Sequence, residues 1–160
     1  MITLSNAAMA IFLCASVAGL SACSETAEAP ASESAVAGLT VSNARIVLAP
    51  VAGNPAAVYF DLSYSGDAPA ILTSVAVEGA GMTMIHDYAE SAGTMQMTMA
   101  DAVPLVTGTP VIFAPGGLHV MAMEPTDALQ AGASANVTLT LSNGTTATVT
   151  APVRAAGEER

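Results

Sequence analysis

The run "ANVTLTLSNGTTATVTAPV", residues 135 to 153, leaves little choice of secondary structure. Apolar residues alternate with Thr or Asn on both sides of Asn143-Gly144, a period of two that gives a strand one dry face and one wet face. A helix would scatter the same residues around its circumference. Asn-Gly between alternating runs signals a hairpin, and the expectation is a two-residue turn with both residues at positive φ. Similar runs recur: "LTVSNARIVLAP" (39 to 50), "AAVYFDLSYSG" (56 to 66), "AILTSVAVEG" (70 to 79), "MTMIHDY" (82 to 88) and "TMQMTMA" (94 to 100). "TPVIFAPGGLHVMAM" (109 to 123) reads as strand, Pro-Gly-Gly turn, strand; "PTDALQAG" (125 to 132) reads as a loop or single turn. The result is an all-β sandwich of about eight or nine short strands, with turns roughly every 8 to 12 residues. Aromatics are 4% of the chain and apolar residues 52%, so the core must come from Ala, Val, Leu, Ile and Met.

The N-terminal segment follows other rules. Residues 7 to 20, "AAMAIFLCASVAGL", are nearly all apolar but short for a membrane span. "LSAC" follows, and a small-residue stretch ending in cysteine resembles the lipobox of bacterial lipoproteins. On that reading residues 1–22 are a signal peptide, Cys23 is the lipidated first residue of the mature chain, and Cys14 is discarded. Read instead as an uncleaved anchor, the run still places the domain outside the cytoplasm. Residues 23–38, rich in Ala, Ser and Glu, read as the lipidated cysteine and a flexible tether. Residues 39–154 are the domain and 155–160 a disordered tail. With Cys23 lipidated no disulfide forms, so the fold rests on its core alone.

The formal charge is −10, from thirteen acidic residues against three arginines and no lysine. A phosphate backbone would be repelled, which excludes nucleic acid as a partner. An anionic membrane surface is equally unfavourable, so membrane contact is by the lipid anchor only. No Ser/His/Asp pattern and no cysteine nucleophile stand in the domain, and the chain reads as a non-enzyme.

Between residues 82 and 123 lie both histidines, His86 and His119, and seven methionines: Met82, Met84, Met95, Met97, Met99, Met121 and Met123. On strands, residues two apart share a face, about 7 Å from each other. Met82, Met84 and His86 therefore share one face, Met95, Met97 and Met99 another, and His119, Met121 and Met123 a third. If these strands are neighbours, imidazoles and thioethers converge. Neutral, soft sulfur with imidazole selects Cu(I); calcium and magnesium want oxygen, and a blue-copper site wants a cysteine thiolate that the domain lacks. The competing reading is that methionine, adaptable and apolar, fills a core poor in aromatics. It would make the chain a structural or adhesion lipoprotein that binds no metal.

The long spacings carry more. His86 is followed by ten residues and Met97, then by twenty-one residues and His119-x-Met121. This resembles the signature of the periplasmic copper chaperones that serve the CuA centre of cytochrome c oxidase. "TVSNARI", "AAVYFDLSYSGD", "GTMQM", "APGGLHVMAM" and "VTAPVR" are also similar to that family, and the resemblance spans about residues 39 to 154. It implies a cupredoxin-like Greek-key β-sandwich holding Cu(I) through His86, Met97, His119 and Met121. It also implies a copper acceptor, cytochrome c oxidase subunit II, and a periplasmic setting; with the lipobox-like segment, the expectation is a lipoprotein anchored to a Gram-negative membrane. Met84, Met95, Met99 and Met123 are possible auxiliary ligands, since each shares a face with one of the four. The chain departs from relatives that carry a methionine close behind the first histidine: Asp87 and Tyr88 follow here. Asp87 either orients His86 or is simply solvated. "APVRAAGEER" holds no histidine or methionine, so the second copper site of some relatives is not expected.

Overall fold

The computed structural model describes residues 33–91 and 93–158. Among them there are eleven strands and no helix: β1 Ser34–Val36, β2 Leu39–Val47, β3 Ala56–Tyr64, β4 Ala70–Val77, β5 Ala80–Ser91, β6 Thr94–Met99, β7 Val103–Leu105, β8 Val111–Phe113, β9 His119–Pro125, β10 Ser134–Leu141 and β11 Thr146–Arg154. One layer runs β6-β5-β9-β3-β2, with β1 paired to β2 and β8 to β3; the other runs β11-β10-β4-β7. The layers join through β11. It pairs antiparallel with β10 from Thr146 to Pro152, then runs parallel with β2 at Val153 and Arg154. Between the layers lies one core of Val, Leu, Ile, Ala and a few aromatics. Val41, Ile46, Val58 and Phe60 come from one side and Leu72, Val137, Leu139 and Val149 from the other. Phe60 stacks on Phe113 with centroids 4.3 Å apart.

Local irregularities set the register. In β2 the inward residues are Leu39 and Val41 and then Ala44 and Ile46, a shift of phase. Its cause is a bulge between Ser42 and Arg45, where three steps on β2 face two on β3. Asn43 takes φ 54° there, a conformation asparagine tolerates, and donates to Asp61 Oδ2 at 2.6 Å. The β10–β11 hairpin differs from the expected two-residue turn. Leu141 N donates to Thr145 O and Gly144 N to Leu141 O, both at 2.9 Å, so three residues form the loop. Of the Asn-Gly pair only Gly144 has positive φ, at 83°. This is the type I turn plus left-handed glycine of a bulged hairpin.

The segment 109 to 123 is two strands, but they form no hairpin with each other. β8 and β9 both run antiparallel to β3, end to end: Val111–Phe113 face Leu62–Phe60, and Val120–Ala122 face Val58–Ala56. Six residues lie between Phe113 and Val120 where one lies between their partners Phe60 and Val58. Ala114-Pro-Gly-Gly-Leu118 is therefore a loop thrown out of one continuous line. Ala114 N donates to Leu118 O at 2.8 Å and Gly117 N to Ala114 O at 3.1 Å, closing it. Pro125 ends β9, and residues 126 to 132 form the expected loop, with Leu129 set into the core. Ser34–Val36, within the stretch read as tether, instead pair with β2 through a tight turn at Ala37 (φ 47°) and Gly38 (φ 82°). The signal peptide, Cys23 and the earlier tether lie outside the described residues.

Candidate metal centre

The pairing of β6, β5 and β9 brings every singled-out histidine and methionine together. On β5 and β9, His86 faces His119, Met84 faces Met121 and Met82 faces Met123. On β5 and β6, His86 also faces Met99, Tyr88 faces Met97 and Glu90 faces Met95. Partners in register share a face, so all seven methionines and both histidines project from one side of this three-stranded sheet. It is the outer side. Ile85, Val120 and Ala122 alternate with them and enter the core.

The core-filling reading of the methionines therefore does not hold. No methionine stands in the buried core among the described residues. Met82, Met95, Met97 and Met99 are exposed, at 49%, 57%, 47% and 63%, and Met84, Met121 and Met123 are half-buried. The same parity that lines the core with Val and Ala turns sulfur outward.

The two histidines have different settings. His119 is buried, and Tyr88 stacks on its ring at 5.6 Å with 27° between planes. Its Nδ1 lies 2.8 Å from the Gly117 carbonyl. A carbonyl only accepts, so Nδ1 carries the hydrogen and Nε2 keeps its lone pair for a metal. The loop 114–118 thus sets the histidine's tautomer as well as its position. His86 meets His119 edge to face, centroids 5.7 Å apart, and its Nδ1 lies 3.1 Å from Met97 Sδ. Burial, and secondly the facing His119, lower the His86 pKa below the ordinary 6.5, favouring the neutral ring that can ligate. Asp87 lies on the opposite face by parity and accepts from Tyr88 N at 2.8 Å, so it does not orient His86. Tyr88 and the Gly117 carbonyl are the site's neighbours that sequence patterns did not single out. A tyrosine two residues after a histidine on a strand was the available signal for the first.

Chemically this is a shallow site with two imidazoles and an excess of thioethers. Among the described residues no three His, Cys, Asp or Glu side chains cluster as a metal group. Two imidazoles with thioethers suit a soft monovalent ion better than zinc or calcium, which take harder ligands.

A family model described as "Putative lipoprotein LpqE-like" matches residues 39–153. The chain is 30% identical over 99 residues to "Putative lipoprotein Lxx21020" of Leifsonia xyli subsp. xyli, covering 61% of this chain and 60% of that protein. It thus spans about three fifths of the length of that curated relative. Among solved structures, the copper-bound PCuAC domain from PmoF2 matches with TM-score 0.65 at 24% identity, over 78% of this chain and 98% of that one. The solution structure of Cu(I)-DR1885 from Deinococcus radiodurans matches with TM-score 0.60 at 27% identity, over 75% and 80%. The all-β, cupredoxin-like sandwich expected from the sequence is the fold these structures share with this chain.

Proposed function

The chain belongs to the LpqE-like family and has the fold of PCuAC copper-chaperone domains, and on that premise we propose that it is an extracytoplasmic Cu(I) metallochaperone. It holds one Cu(I) through His86, Met97, His119 and Met121. Lipid on Cys23 tethers it to the outer side of a bacterial membrane, in the periplasm, and it hands copper to a cuproprotein. The CuA site of cytochrome c oxidase subunit II is the acceptor this reading names.

One observation carries the reading: all seven methionines of the domain leave the core and gather with both histidines on one open face. Solvent-facing methionine gains little from burial, and Thr or Val would suit a strand better. Metal ligation gives these positions a reason. The copper-bound state of the PmoF2 domain and of DR1885 supports the choice of metal. Openness fits a carrier, since an acceptor's ligands must reach the ion while the chaperone still holds it.

The test is an anaerobic Cu(I) competition titration of the full chain in detergent against a chromophoric chelator. The expected result is a first equivalent bound tightly, lost in the His86→Ala/His119→Ala variant while the circular dichroism of the fold persists. Equal affinity in that variant would remove the reading. Transfer to the metal-free soluble domain of an oxidase subunit II, followed by the CuA absorption on oxidation, tests the acceptor separately.

A further inference from the structure

Five methionines of the outer face are outside the four-ligand site, and three of them, Met82, Met84 and Met123, lie on β5 and β9. Register puts them side by side. Met82 faces Met123 across β5 and β9, and Met84 is the next rung, facing Met121. Facing Cβ atoms on antiparallel strands lie about 5 Å apart, and successive rungs about 7 Å. Methionine has three rotatable bonds and an unbranched stem, so three sulfurs on that grid can meet around one small ion. None of the three is committed to packing. Met82 is 49% exposed, Met84 and Met123 are half-buried, and the core contacts of these strands are made by residues of the other parity.

We propose that Met82, Met84 and Met123 form a second, thioether-only Cu(I) station that exchanges copper with the His86 site through the Met84–Met121 rung. The inference rests on the copper reading of the adjoining site. Three neutral sulfurs and no imidazole select Cu(I) over Cu(II) and zinc, and bind it more weakly than the mixed site. Movement between stations is ligand substitution. One copper–sulfur bond forms as another breaks, copper stays monovalent, and no proton or electron is transferred. Met121 belongs to the first station and stands across from Met84 of the second, so the ion always has a sulfur within reach. The row ends at exposed Met82, where solvent or an acceptor can meet it.

The experiment uses the full chain in detergent, titrated anaerobically with Cu(I) against a strong and a weak chelator. Wild type is expected to bind two equivalents, the second weaker by about tenfold or more, with X-ray absorption showing sulfur alone around the added ion. Met82→Leu/Met123→Leu keeps apolar bulk at one exposed and one half-buried position. It should lose the second equivalent, keep the first within about threefold, and slow copper release to the chelator by about threefold or more. A single equivalent in wild type, or a second one that survives in the leucine variant, overturns the station. An unchanged release rate overturns the exchange. Failure of the copper reading itself looks different: the first equivalent would then persist without His86 and His119.

Discussion

His119 is the fixed residue of the centre and His86 the adjustable one. The Gly117 carbonyl and the Tyr88 ring hold His119 in one tautomer and one plane. His86 has a thioether neighbour in place of a carbonyl. Protons compete with metal for a ring nitrogen, and a pKa below 6.5 delays that competition to lower pH as acid is added. In the metal-free protein the His86 ring should therefore titrate with a midpoint below 6.5, measured by NMR. A midpoint at or above 6.5 would mean a ring fully solvated and not facing a second imidazole. Tyr88→Leu removes the stacked ring while leaving all four proposed ligands. It should weaken Cu(I) binding several-fold and broaden the His119 ring resonances, because the imidazole is no longer held in plane. Met97→Leu should weaken Cu(I) binding by about tenfold or more and leave the melting temperature within a few degrees, since Met97 is 47% exposed.

At the scale of elements, the loop between β8 and β9 decides where His119 stands. Gly116 takes φ 81°, with open space around the Cβ it lacks; the nearest atom to a Cβ on Gly117 would be the Ala114 oxygen, at 3.8 Å. Alanine at Gly116 meets a conformational penalty of about 1–2 kcal/mol and no clash. Alanine at Gly117 meets neither. Gly116→Ala is thus expected to lower stability by about that amount and loosen the His119 ring, while Gly117→Ala leaves both nearly unchanged. Denaturant unfolding together with the His119 NMR signal checks the pair. Equal effects would mean that the loop's hydrogen bonds, not its backbone conformation, fix the histidine.

Across the whole molecule, the sandwich separates stability from chemistry by parity. Leu139 is fully buried between the layers, and Leu139→Ala should lower stability by about 2–5 kcal/mol. Met95→Leu on the open face should change it by no more than about 0.5 kcal/mol. Comparable losses by thermal unfolding would mean that the methionine face is covered in solution. Much of this plan was visible beforehand. The strands of "AAVYFDLSYSG", "AILTSVAVEG" and "ANVTLTL" fall where alternation put them, because their polar and apolar residues differ enough to mark each face. β1 and β7 were missed, since three residues carry no readable period. The bulge at Asn43 was missed because a one-residue change of phase looks like ordinary scatter. The Pro-Gly-Gly segment reads as a turn, but glycine and proline report that the chain bends, not whether it returns alongside itself or rejoins its own line.

Strand formation, an aliphatic core and the copper-carrier-like spacing of His86, Met97, His119 and Met121 are all legible in the order of residues alone. Each of these follows from local chemistry or from order along the chain. Residue order also puts Met82, Met84 and His86 on one face, because alternation is a property of one strand. Which face looks inward was not in the sequence. On β5 and β9 the residues of both parities are largely apolar, Met82, Met84, Met121 and Met123 on one side and Ile85, Val120 and Ala122 on the other. Hydrophobicity cannot choose between them. Packing of the two layers made the choice: the second layer covers Ile85, Val120 and Ala122, and the sulfur atoms are left to the open side.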